Sequence, residues 1–233
     1  MSEYSQELEN LYKLARRAKA DGNNENAQKY YDMISIQNPD DWEAAFYSVY
    51  YQAMQTNIAG ISNSAVRVQN AARSTFDIIA NSNESDIKKG EYAREILSSV
   101  EKIGNLLDTA AKNHYNGIDY NVRDRFTTEL KERESAVKLM RYNAILKAGS
   151  LFGREVDIYL KSMFNMCISN SDFANAEKAN SFIVKYDPSF DGVTKINSKR
   201  EEDQKLHNLG FGCFLVVLVI VVLGSLVFAV NYR

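Results

Sequence analysis

An all-α fold is predicted by three observations. Apolar residues step by three and four through most of the chain, and no strand-like alternation competes with them. Only 2 prolines occur in 233 residues, so little interrupts helix. One uncharged run, Phe211 to Val230 (FGCFLVVLVIVVLGSLVFAV), has the length of a membrane-spanning helix, because twenty residues rise about 30 Å. Composition excludes other classes. With 28 Lys+Arg against 30 Asp+Glu the net charge is −2, which removes the cationic excess of a nucleic-acid binder. Two cysteines, Cys167 and Cys213, are too few for a disulfide scaffold or a Cys-rich zinc site.

The first element pair lies within residues 1–55. Leu8, Leu11, Leu14 and Ala15 form a helical stripe that Gly22 ends. Ala27 offers a small side chain where a second helix would cross the first, Tyr31 follows one turn later, and Pro39 closes the unit. The segment GNNENAQKYYDMISIQNPDDWEAA in this pattern resembles one tetratricopeptide repeat (TPR), a unit of about 34 residues built as an antiparallel helical hairpin. Ala18 and Ile34 depart from the usual aromatic and alanine of that pattern. WEAAFYSVYYQA, from Trp42, reads as the first helix of a following unit whose second helix does not keep the pattern.

Residues 56–190 read as a helical bundle. Ile58, Ile61, Ala65, Val68, Ala72, Phe76 and Ile79 form one stripe, and Ala93, Ile96, Val100, Ile103, Leu107 and Ala110 form the next, continued by His114. Phe126, Leu130, Val137, Met140 and Ala144 lie on one side of a third helix, with charges elsewhere, and Phe152, Val156, Tyr159 and Met163 make a fourth stripe. Turns are expected near Asn81–Ser85, Gly117–Asn121 and Ser169–Asp172, each rich in Asn, Ser or Gly. SNSDFANAEKANSFIVKYDPSF resembles the second half of another repeat, with Ala176 at the crossing and Pro188 at its end. Because one repeat cannot bury its own face, the hairpins must stack on one another or on the bundle. Degenerate repeats of this kind, with a middle containing AAKNHYNG, resemble small bacterial repeat proteins of unassigned function. Some of those carry a zinc ribbon, whose cysteines this chain lacks, so no metal and no cofactor is expected.

A juxtamembrane helix is expected over 191–209, a transmembrane helix over 210–230 and a short tail over 231–233. Lys195, Lys199, Arg200 and Lys205 precede the span and Arg233 follows it, so the expected topology is single-pass and tail-anchored with the N-terminal domain cytoplasmic. The flank also holds Asp191, Glu201, Glu202 and Asp203, which cancels its charge and argues against an anionic-lipid switch. Ser225 and Ala229 form a small-xxx-small pair able to pack a second span.

No nucleophile–base pair, metal constellation or phosphate loop is present, and His114 and His207 are far apart, so an enzyme is not expected. The TPR resemblance implies instead a concave groove lined by the first helices of successive hairpins. Mapped here, that face carries Glu9, Tyr12, Arg16 and Lys19, then Glu43, Phe46 and Tyr50. Tyr12, Arg16, Lys19, Phe46 and Tyr50 are therefore the candidate partner-binding residues. Aromatics beside cations suit an extended peptide bearing a carboxylate. Spacing leaves open whether Phe46 and Tyr50 face a groove or are buried against the bundle. The expected function is a membrane-anchored, non-catalytic adaptor for a protein or peptide partner. The alternative is a structural homo-oligomer assembled through the helical stripes and the transmembrane helix.

Overall fold

Residues 3–206 and residue 208 are described by the structure, a computed structural model. Helix α1 (Glu3–Ala20) turns into α2 (Asn24–Gln37) through Gly22, whose φ of +68° lies in the left-handed region that glycine enters most cheaply. The Asn23 amide then reaches back to the Ala18 carbonyl at 2.9 Å, satisfying a carbonyl that the helix end leaves open. The Asn23 side chain accepts from the Asn26 amide at 3.1 Å and so starts α2. Asp41 accepts from the Ala44 amide at 2.7 Å and starts α3 (Trp42–Met54) in the same way.

Two long helices follow. α4 (Ile61–Asn81) packs on α3, and α5 (Asp86–Gly117) begins at Ser85, whose hydroxyl accepts from the Lys88 amide. The short α6 (Tyr120–Arg123) leads into α7 (Thr127–Phe152), which ends at Gly153 with φ +48°. α8 (Asp157–Ser169) and α9 (Phe173–Tyr186) form the last hairpin, and residues 192–206 are helical again, as α10. Every residue of the expected stripe from Ile61 to Ile79 is buried.

α7 is the central element, in contact with α4, α5, α8 and α9. Its burial extends beyond the one expected side: Val137, Met140 and Ala144 are enclosed, and so are Ile145, Ala148, Gly149 and Phe152. Contact with four helices widens the buried face beyond a single stripe, while Glu129, Lys131, Glu132 and Lys138 stay exposed on the other side. On α5 the stripe holds from Ala93 to Leu107 and then moves to Ala111 instead of Ala110. A straight helix drifts about 20° per seven residues from a heptad pattern, which accounts for that move; His114, in the last turn of α5, is exposed.

The two ends of the chain repeat one another. Ser171 takes φ +56° as Gly22 takes +68°. The Asp172 amide reaches the Cys167 carbonyl at 2.8 Å, as Asn23 reaches Ala18 at 2.9 Å. Leu11, Ala15, Ala18, Ala27 and Ile34 have buried counterparts in Leu160, Phe164, Cys167, Ala176 and Ile183. The units α1–α3 and α8–α10 thus share turn geometry and crossing positions, and they flank the bundle of α4, α5 and α7.

The span expected at 210–230 and the tail 231–233 lie outside the described residues, as do His207, Cys213 and the Ser225–Ala229 pair. Among the described residues no helix is long and apolar enough to cross a membrane.

Glycine marks the close crossing of α7 and α8. A Cβ at Gly149 of α7 would meet the Leu160 side chain at 2.7 Å, whereas one at Gly117 meets nothing within 4 Å. Gly149→Ala is therefore expected to destabilise by about 1–2 kcal/mol, overpacking outweighing the helix propensity gained. Gly117→Ala should stabilise by up to about 1 kcal/mol, and denaturant unfolding of both variants checks the opposite signs.

Candidate functional site

The site is built around Glu43, whose side chain is only 11% exposed. A buried carboxylate must be paired or it neutralises. Arg16 of α1 meets it in a two-pronged contact, Nη2 to Oε2 at 2.6 Å and Nε to both oxygens at 3.2 Å. The Tyr31 hydroxyl of α2 donates to Oε1 at 2.7 Å. One carboxylate of α3 therefore ties together all three N-terminal helices. The hydrogen bond to Glu43 holds the Arg16 guanidinium above its ordinary pKa. Burial, and then the charge and hydrogen bond of Glu43, push the Tyr31 phenol far up. Arg16 also lies over the Tyr12 ring, 5.3 Å from its centroid. Next to it, burial raises the Asp41 carboxyl, opposed by the Ala44 amide and the Tyr12 hydroxyl.

α5 completes the site from a distant part of the chain. Lys19 Nζ is 2.8 Å from Glu95 Oε1 and sits 3.7 Å above the Tyr47 ring. The Tyr47 hydroxyl donates to the same Glu95 oxygen at 2.6 Å and lies 3.2 Å from Ser99 Oγ. Burial alone would raise the Glu95 carboxyl, but the hydrogen bonds from Lys19 and Tyr47 outweigh it and set its pKa below the ordinary value. Trp42 at the start of α3 stacks on Tyr92 of α5 with centroids 4.5 Å apart.

Two clefts result, separated by the Lys19–Glu95 bridge. One, of about 480 Å³, is lined by Arg16, Lys19, Trp42, Glu43, Tyr92 and Glu95. The other, of about 290 Å³, is lined by Lys19, Tyr47, Tyr50, Tyr51 and Glu95 among others. A third cleft, about 750 Å³ between α5, α7 and α8, is crossed by Arg141, which holds Asp108 at 2.7 Å and Asn105 at 2.9 Å.

Of the candidate residues, Arg16 and Lys19 line the first cleft, and Arg16 is 62% exposed. Tyr12 lies partly buried under Arg16. Phe46 and Tyr50 belong to the core, at 0% and 8% exposure. Both are packed in an aromatic cluster around Tyr47, so of the two only Tyr50 borders a cleft. Trp42, Tyr92 and Glu95 take their place as cleft residues. Trp42 begins a helix recognisable in sequence, but nothing local to Tyr92 or Glu95 marks them as its neighbours.

The charged core of this site is not demanded by the hairpin. At the corresponding positions of the C-terminal unit, Arg16, Tyr31 and Glu43 are replaced by Asn165, Asn180 and Gly192. That unit closes without them, its Gly192 pressed against Asn180.

Arg16→Ala is expected to cost about 2–3 kcal/mol, because it strands a buried carboxylate, while Arg16→Ala with Glu43→Gln should recover more than half of the loss. Unfolding free energies of the two single variants and the double variant decide this. Glu95 supplies a separate, pH-dependent contribution. Its pKa is lower folded than unfolded, so the bridge stabilises fully above the unfolded value near 4.3 and less as pH falls through the folded one. The effect is small, under about 1 kcal/mol for a half-exposed pair. Glu95→Gln should flatten that part of the acid limb in a stability–pH profile.

No family model matches the chain, and no curated protein or solved structure matches it.

Proposed function

We propose that the chain is a membrane-anchored, non-catalytic adaptor of TPR-like hairpins that holds a protein or peptide partner at the cytoplasmic face of a membrane. The observation that carries this reading is the cleft between α1, α3 and α5, where the Trp42–Tyr92 stack lies beside Arg16 and Lys19. Aromatic surface next to arginine is the composition of energetically dominant contacts in protein interfaces. The anchor in this reading is the uncharged stretch 210–230, and the basic residues before it set the orientation. The mechanism is localisation: tethering raises the partner's effective concentration at the surface, and no bond is made or broken.

Trp42 is the only tryptophan in the chain, so its fluorescence reports occupancy of the cleft. A partner captured from detergent-solubilised membranes with the full-length chain, then purified and titrated back, should shift Trp42 emission saturably. Lys19→Ser combined with Tyr92→Ala should weaken that titration at least tenfold while leaving the fold intact by circular dichroism. Unchanged affinity in the double variant would place binding elsewhere.

A further inference from the structure

The arrangement of α7, α9 and α10 fixes the end at which the described chain leaves the domain. α7 and α9 run side by side in the same direction: Lys138 pairs with Asp172 at 2.9 Å, and Arg154 reaches the Tyr186 carbonyl at 3.4 Å. α10 runs the opposite way along α9, since Gly192 abuts Asn180 and Arg200 pairs with Glu177 at 2.7 Å. It arrives at the α8–α9 turn, where the Ser171 hydroxyl donates to Asp203 Oδ2 at 2.5 Å. Ile196 is buried along the way, so α10 is packed onto the domain and does not swing freely. The chain therefore leaves the domain at the end where α9 begins.

The α5–α7 connection projects from the same end. α7 starts at Thr127, and at 1.5 Å per residue that lies about 16 Å beyond Lys138, the residue level with Asp172. From Asp203, α10 continues as helix through residue 206 toward this same end, away from the body of α9. The α5–α7 connection and the last described turn of α10 thus lie at the same end of the domain.

The connection is held rigidly and presents an aromatic ring. Arg123 donates to the Asn116 carbonyl at 2.9 Å and to the Ile118 carbonyl at 3.0 Å, capping the end of α5. The Tyr115 hydroxyl lies 3.1 Å from Thr127 Oγ1 across the loop. Tyr120, at 83%, is the most exposed large apolar side chain among the described residues. Around it Asp119 and Asp124 balance Arg123 and Arg125. That surface lacks the excess charge an anionic-lipid site requires, and a ring with an apolar body and a polar tip suits the headgroup layer of a neutral bilayer.

We propose that the α5–α7 connection, residues 118–126, is a second membrane contact, with Tyr120 seated in the headgroup layer of a zwitterionic bilayer. The proposal rests on the reading of residues 210–230 as a membrane anchor. Together the two contacts hold the domain upright on the membrane, where the single span alone would leave it free to tilt.

The test uses the full-length chain with Trp42→Phe and Tyr120→Trp, reconstituted in vesicles of phosphatidylcholine brominated near the headgroup end of the acyl chains. Emission should be quenched at least twofold relative to unbrominated vesicles. The unsubstituted chain, whose Trp42 lies in the distant cleft, should be unquenched. If Trp42→Phe impairs folding, Tyr120→Trp alone should lose at least about a quarter of its emission, since Trp42 stays unquenched. A chain that floats with the vesicles after an alkaline wash and shows no quenching overturns the contact but leaves the anchor standing. A chain that does not float overturns both.

Discussion

A carboxylate taken out of water at Glu43 constrains the N-terminal half of this molecule. Its desolvation has to be offset by partners, and among the described residues the Arg16 guanidinium and the Tyr31 hydroxyl supply them, one from each of the two preceding helices. Meeting that demand fixes how α1, α2 and α3 register against each other. It also fixes Arg16 with its guanidinium edge-on to Glu43 and its outer side toward the cleft. Tyr31, in turn, stacks on Tyr47 and Tyr51. The polar contact and the aromatic core therefore specify one another.

Specificity of this kind is concentrated at one end of a duplicated plan. The C-terminal unit repeats the left-handed turn residue and the small crossing alanine, which are what backbone geometry requires of any such hairpin. It does not repeat the charged triad. Between the units, α7 packs against α4, α5, α8 and α9, and Gly149 lets Leu160 of α8 lie directly on its backbone. The hairpin geometry is common to both units, and the chemistry belongs to one of them.

The hairpin turns, the crossing positions and most of the buried stripes are legible in the sequence, because each depends on residues within a turn or two. Gly22, Ala27, Ala176 and the Ile61–Ile79 stripe are of this kind. The cleft was legible only in part. Arg16 and Lys19 follow from repeat position, but their partners do not. Lys19 meets Glu95 across a separation of 76 residues, and no local pattern announces such a pair. Phe46 and Tyr50 sit at positions that a stacked array would leave facing a groove. Here Tyr47 draws both into an aromatic cluster, and α5 lies across the same face. The shift from Ala110 to Ala111 comes from helix geometry itself, since 3.6 residues per turn does not keep a seven-residue step.

α5 also acts as a ruler. Its 32 residues amount to about 48 Å, with the cleft set by Tyr92 and Glu95 near one end and the connection to α7 at the other. The two are separated by about 33 Å, roughly four screening lengths at physiological ionic strength. Charge gathering at one end is therefore not felt at the other. The side chains of the cleft are thus screened, through solvent, from charge gathered at the far end of α5.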